Sequence, residues 1–402
     1  MALKVLVTDG DSRAALAVTR SLGRLGQTVL VAEKRSWALA QASRFCAQSL
    51  EYPDPAKHED AFVDALARMA REHHVDVVLP VTDITTTLVT QHRHLFEPAC
   101  RVPFAATEWV QRAADKAYVV RAAERLGIPV PRTVFLESRQ DVQACLAQLP
   151  FPVVVKARAS RLRTDTGWIN SGVRYAQNEA ELLADVERRH EAEFPLLLQE
   201  KIDGPGMGVF ACYNRDAAVA LFSHRRLREK PPSGGVSVLS ESVEVCPIAG
   251  RHTDALLSDL HWHGVAMVEF KLDARDGMPK LMEINGRFWG SLQLAIDAGV
   301  DFPAILLSTL RGDEGGPLPT YRTGVKSRWL LGDLDSLFIQ LFGKAQGTPR
   351  AGSGRARLRP LLQFMRLWEK DLYYENPRLY DLGPWFSEMF RWLGGSTTRA
   401  NG

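Results

Sequence analysis

Cysteine is scarce in this 402-residue chain. The five present, at 46, 100, 145, 212 and 246, are scattered, odd in number and without a CxxC spacing. That excludes a disulfide framework and a thiolate metal site, and it fits a reducing compartment. Long apolar runs are missing too, so no segment reaches the length a membrane-spanning helix needs. The opening "MALKVLVTDG" runs straight into a strand-like segment, without the charged start and long apolar stretch of a signal peptide. The expectation is a cytoplasmic chain with no transmembrane segment. Charge of one sign is lacking as well: a net +3 argues against wholesale nucleic-acid binding. What remains is ordinary globular composition, 46% hydrophobic and 24% charged, in a chain long enough for two or three domains.

The first third alternates short β-branched runs with helical spacing. "LKVLVTD", "TVLVAE" and "VDVVLP" are strand candidates, and helices are expected after Gly10, over 57–72 and near 84–95. Such alternation predicts βαβ units and a parallel, Rossmann-like sheet. The turn Asp9-Gly10-Asp11-Ser12 lacks a GxGxxG pattern, and its two aspartates would repel a pyrophosphate, so a dinucleotide site is excluded there. Asp9–Ser12, Thr82 and Asp83 are loop-end polar groups that either face a substrate or serve as turn and cap residues. Beyond Asp115, an N-cap, the helix "KAYVVRAAERLG" ends at Gly127. The middle region reads as α+β with mostly antiparallel pairing. It has helix candidates at 138–149 and 178–193, a basic loop after Lys156, and β-like runs at 207–213, 217–229 and 236–245. From 313 onward, Gly/Pro/Arg-rich linkers separate aromatic-rich helical stretches.

Chemistry concentrates in "GVAMVEFKLD" (264–273) and "PKLMEIN" (279–285), joined across an Asp-Gly turn that signals a hairpin. Alternation puts Val268 and Phe270 on one face and Glu269, Lys271 and Asp273 on the other. In the second strand Met282 and Ile284 oppose Glu283, Asn285 and Arg287. Any register that buries both apolar faces makes Glu269 and Glu283 near neighbours. Like charges so placed are destabilising, and a cation would remove the penalty. Two carboxylates and an amide oxygen suit Mg²⁺, with substrate phosphates completing its shell, and Arg287 can fork onto a phosphate. A solvated edge hairpin, its charges offset by Lys271 and Arg287, is an equally good reading of these residues alone. Lys156 ends the apolar strand "PVVVK", and "HRRLREK" gathers Arg225, Arg226, Arg228 and Lys230 into either a wet basic strand or an anion clamp.

Lys116, Lys156, "QEKIDG", "VEFK" and "EINGR", in this order, resemble the ATP-grasp superfamily. The likeness spans roughly residues 1–312 and is nearest to the carbamoyl-phosphate-synthase-like and biotin-carboxylase-like carboxylate–amine ligases. The resemblance implies a front α/β domain (1–112), a small lid subdomain (113–195) and a large subdomain with the Mg/ATP site (196–312). A helical C-terminal extension (313–402) follows. It also implies that Lys116 and Lys156 contact the ATP phosphates. Glu200, Lys201 and Ile202 would hold adenine, Asp203 the ribose, and Met282 would also contact the nucleotide, while Glu269, Glu283 and Asn285 hold Mg²⁺, with Mn²⁺ as an alternative. Arg287, Lys271 and Arg226 would serve the transferred phosphoryl group. The implied reaction joins a small carboxylate to an amine with release of ADP. A phosphoryl-transferring kinase and a non-catalytic nucleotide-binding scaffold are the alternatives, and a homodimer is compatible with the sequence. Where many relatives carry a glycine-rich loop, this chain has "ARASRLRTDTGWINSG" with Arg158, Arg161 and Arg163, which either covers phosphates or serves the substrate.

Overall fold

A computed structural model describes residues 2–394 except 149, 166, 233, 313–316 and 343–354. The front of the chain runs β1 (Lys4–Val7), α1 (Arg13–Arg24), β2 (Thr28–Glu33), β3 (Cys46–Glu51), α2 (Glu59–Glu72), β4 (Val77–Leu79) and α3 (Asp83–Gln91). Its four strands are all parallel, in the order β3-β2-β1-β4. Ser12 starts α1 by accepting from the Ala15 amide at 3.0 Å, and Thr82 starts α3 in a reciprocal capping box with Thr85. Next come α4 (Thr107–Ala114) and α5 (Lys116–Arg125), the latter capped by Asp115 and stopped at Gly127, whose φ is +69°.

The second unit holds β5 (Thr133–Leu136), α6 (Val142–Cys145), β6 (Val153–Lys156), β7 (Arg161–Thr164), β8 (Gly167–Asn170), β9 (Arg174–Ala176), α7 (Glu179–Glu187) and β10 (Leu196–Glu200). A small antiparallel sheet runs β5-β10-β6-β9, and β7 and β8 form a separate hairpin. The helix expected over 138–149 is shorter, one α-turn between two 3₁₀ turns. The basic loop expected after Lys156 is instead that hairpin. Its Leu162 and Ile169 alternate inward and pack on the small sheet's apolar core, which fixes the segment as strands.

The largest sheet is built from β11 (Gly206–Asn214), β12 (Ala217–Lys230), β13 (Val236–Val243), β14 (Gly264–Leu272) and β15 (Pro279–Asn285), with α8 (Pro247–Asp259) between β13 and β14. After α9 (Leu292–Ala298) and α10 (Phe302–Thr309), the chain adds β16 (Lys326–Arg328), α11 (Leu330–Phe342), α12 (Arg355–Phe364), β17 (Leu372–Tyr374) and α13 (Gly383–Leu393). Strand order is β15-β14-β11-β12-β13-β16-β17. One face of this sheet packs on α4, α5 and α8 through Val209, Ala211, Val268, Phe270 and Trp262. The other contributes Phe210, Phe222 and Met267 to a core shared with the front sheet and α9–α10. Each such side chain, fully buried, stabilises the fold by ~1.5–3 kcal/mol.

The C-terminal segment is not a helical appendage. Strands β16 and β17 complete the large sheet, and Leu372–Tyr374 lies where helix was expected. The segment also docks on α1. Arg20, 2% exposed, donates to Asp381 at 2.7 Å and to the carbonyls of Glu375, Asn376 and Asp381. Most of the two Gly/Pro-rich linkers read in the sequence lies outside the described residues.

Candidate nucleotide and metal site

The β14–β15 hairpin forms as expected, and Glu269 stands directly opposite Glu283. A bulge follows that pair: the register slips so that Phe270 faces Leu281, leaving Met282 as the extra residue. Leu281 and Ile284 therefore carry the core contacts, while Met282, expected on the apolar face with Ile284, stays out of the core and half-buried next to Glu283.

Four cations converge on the glutamate pair from separate elements. Lys116, at the start of α5, lies 3.1 Å from Glu283 and donates to Ser160 at 2.8 Å. Arg226 of β12 lies 2.8 Å from Glu269 and also holds Glu229 at 3.1 Å. Lys156, at the end of β6, makes no ion pair among the described residues, yet feels Glu283, Lys116, Glu269 and Lys271. Arg287 donates to Asn285 Oδ1 at 3.2 Å and to Asp83 at the start of α3 at 2.6 Å. Asn285 in turn donates to Glu283 at 3.2 Å.

These contacts set the protonation states. Burial works to raise the Glu283 carboxyl, but Lys116 and Lys156 overcome it and hold Glu283 well below the usual carboxylate range. At Glu269 burial wins over Arg226, and the neighbouring Glu283 adds to it, so its pKa is raised. Glu269 in turn holds the Arg226 guanidinium well above its ordinary value. Burial, reinforced by Lys116, pulls the Lys156 ammonium down to about 8 despite Glu283.

Glu269 and Glu283 do not depend on a bound cation for neutralisation, because Arg226 and Lys116 supply the charge. The donor set still suits a hard divalent ion. Among the described residues no three His, Cys, Asp or Glu side chains converge, so the donors together here are the pair Glu269 and Glu283 with the Asn285 amide beside them. Mg²⁺ is commonly held by one or two carboxylates plus phosphates.

The hinge between the small and large sheets lies beside the β14–β15 turn. The Glu200 carboxylate accepts from the Arg132 amide at 3.0 Å and from Arg275 at 2.9 Å, and Arg275 keeps it below the usual range. That side chain is committed to fixing the β14–β15 turn. Lys271 donates to the Ile202 carbonyl at 3.0 Å, so it sits at the hinge end of the hairpin. Lys201 pairs with the exposed Asp203 at 2.6 Å. Gly204, φ +151°, is pressed so close to Leu272 that a Cβ would meet its carbonyl oxygen at 1.8 Å, which explains the glycine.

Other expected groups serve structure. Asp9 is 8% exposed and accepts from Thr8, Thr82 and Thr85 hydroxyls and from the Val81 and Thr82 amides, so it ties β1 to α3. Asp11 pairs with Arg391 of α13. The basic strand is divided by its alternation and bulges. Arg225 pairs with Glu241, and Arg228 grips Asp333 through two bonds of 2.7 and 2.5 Å. Lys230 reaches Asp335 at 2.5 Å, so only Arg226 of this group reaches the glutamate pair. Ser160 and Glu229, which orient Lys116 and Arg226, carry no sequence signal beyond their proximity to the motifs.

The chain is similar to several known proteins. The sequence model of a family described as "ATP-grasp in the biosynthetic pathway with Ter operon" matches residues 192–332. A D-aspartate ligase from Enterococcus faecium (strain Aus0004) is 23% identical over 251 residues, 57% of this chain and 58% of that protein. The chain thus aligns with a little over half the length of that relative. N5-carboxyaminoimidazole synthetase from Staphylococcus aureus superposes with a TM-score of 0.64 at 13% identity, covering 86% of this chain and 88% of that one. The biotin carboxylase domain of Hydrogenobacter thermophilus 2-oxoglutarate carboxylase, solved with MgADP and bicarbonate, gives a TM-score of 0.62 at 15% identity, covering 81% and 74%.

Proposed function

We propose that this ATP-grasp protein is an ADP-forming ligase that activates a small carboxylate as an acyl phosphate and passes the acyl group to an amine. One observation carries the reading: the Glu269–Glu283 pair, with Lys116, Lys156, Arg226 and Arg287 brought to it from four separate elements. The D-aspartate ligase likeness supports carbon–nitrogen ligation. The four-part division at 112, 195 and 312 belongs to the same reading, with β16 and β17 assigned to the large sheet. So do a cytoplasmic location and assembly as a homodimer.

Lys116 and Lys156 bind the phosphates, the Lys201–Ile202 backbone and Met282 hold adenine, and Asp203 lies at the ribose edge. Glu200, through Arg275, and Lys271, through the Ile202 carbonyl, position that hinge. Glu269, Glu283 and Asn285 hold Mg²⁺, or Mn²⁺ in its place, which when bound shields the phosphate charge. A carboxylate oxygen of the substrate attacks the γ-phosphorus and ADP leaves. The amine nitrogen then attacks the acyl carbon, phosphate leaves, and the amine loses a proton. Arg287 and Arg226 offset the charge that builds on the transferred group, a contribution worth ~10²–10³ in rate for each well-placed donor. The test is an ADP-release screen over amino acids and small carboxylates paired with amines, with mass analysis of products. ADP, phosphate and an amide are expected. A stable phosphoester without phosphate, or nucleotide binding without turnover across the panel, would overturn the reading.

A further inference from the structure

The β7–β8 hairpin faces two ways. Leu162 and Ile169 face the small sheet's core, and register places Arg161, Arg163 and Trp168 on the opposite face, toward the front sheet. Its tip is anchored there. Arg163 lies 2.8 Å from Glu59 of α2, and the Trp168 amide donates to the Ala56 carbonyl at 3.3 Å. Gly167, φ +115°, is so close to that carbonyl that a Cβ would meet its oxygen at 2.9 Å.

Inboard of the anchor, two donors on the same face are unused. The Arg161 guanidinium is half-buried and makes no hydrogen bond or ion pair among the described residues. The Trp168 indole N–H is buried without an acceptor among the described residues. Arg161 pairs across the hairpin with Asn170, which makes Trp168 its diagonal neighbour, within reach of one small ligand. The charged side chains that act on Arg161 are Asp83 and Arg287, and the anchoring of the hairpin on Glu59 and the Ala56 carbonyl turns this face toward the front domain. Asp83 is already neutralised by Arg287 at 2.6 Å. Arg161 is thus a surplus positive charge beside a surplus neutral donor, a combination suited to a carboxylate.

We propose that Arg161 and Trp168 form a subsite for a carboxylate that is not the one activated, so that the acid substrate is a dicarboxylate, acidic amino acids included. The assignment rests on the ligase reading for which carboxylate reacts. It also gives the arginine-rich segment a substrate role in place of phosphate covering.

Calorimetric titration of the full chain saturated with Mg·ADP tests it, using succinate, glutarate, aspartate and glutamate against butyrate, asparagine and glutamine. At least one dicarboxylate is expected to bind tenfold or more tighter than its half-amide or monocarboxylate counterpart. Arg161→Gln should weaken it by ~10–100-fold and Trp168→Phe, which removes only the N–H, by ~3–10-fold, with ADP affinity unmoved in both. No dicarboxylate preference in the wild type, or the same preference in Arg161→Gln, overturns the proposal. Because binding is read without turnover, a preference without ADP-forming ligation leaves the subsite standing and removes the ligase reading. Ligation of monocarboxylic acids without that preference does the reverse.

Discussion

Asp9 and Glu283 are carboxylates at the ends of two different sheets, both largely withdrawn from solvent, and they are held in opposite ways. Asp9 is saturated by neutral hydroxyls and amides, nearly all from its own sheet and the helix that follows β4. Glu283 is held by Lys116 of α5 and influenced by Lys156 of the small sheet, with Asn285 from its own strand. Neutral donors cannot leave without orphaning buried groups, so the Asp9 network locks one conformation. Ammonium groups from separate units can turn to an incoming phosphate without breaking any sheet. A carboxylate saturated by neutral neighbours is part of the scaffold; one balanced by borrowed cations is available for chemistry.

The sharpest way to break this contrast is Glu283→Gln. Turnover should fall by ~10²–10³ or more, with thermal unfolding displaced little; wild-type-like ADP release would remove Glu283 from the machinery. Asp9→Ala should do the opposite, costing about 2–4 kcal/mol in denaturant unfolding because several buried donors lose their acceptor, while kcat per folded molecule stays within ~2-fold. A large loss of turnover at unchanged stability would make Asp9 a substrate ligand after all. A third test uses Lys156. Burial pulls its ammonium down to about 8. Nucleotide phosphates favour the charged form, so ADP affinity should weaken as pH rises through about 8, approaching tenfold per unit, and Lys156→Met should flatten that slope. A slope unchanged in Lys156→Met would assign the titration elsewhere. The smallest effect belongs to Arg225→Ala. Its pairing with Glu241 leaves Arg225 largely exposed, so stability should move by less than ~1 kcal/mol and turnover by less than ~2-fold. A tenfold turnover loss would restore Arg225 to the anion clamp.

The glutamate pair was legible because everything that sets it is local: two alternating strands, a short turn and one shared apolar face. The bulge at Met282 was not, since a one-residue slip leaves the alternating pattern of the sequence unchanged. The basic strand misled for a different reason. Asp333 and Asp335, which hold Arg228 and Lys230, lie 105 residues further along the chain, and no local spacing announces such partners. The same distance effect hid the C-terminal strands. Three-residue elements such as Lys326–Arg328 have too little alternation to stand out, and an existing sheet edge is what makes them strands. The arginine-rich segment showed its composition but not its two-sidedness, which depends on which residues the small sheet's core captures.

Arg20 has a consequence for how the protein is made. Its guanidinium leaves the ribosome 361 residues ahead of Asp381, so at ~5–20 residues per second it waits roughly 20–70 s for its partners. During that interval α1 carries a bare cation on a surface that is buried in the finished molecule. Helix α1 therefore stays uncovered until residues 375–381 have been made.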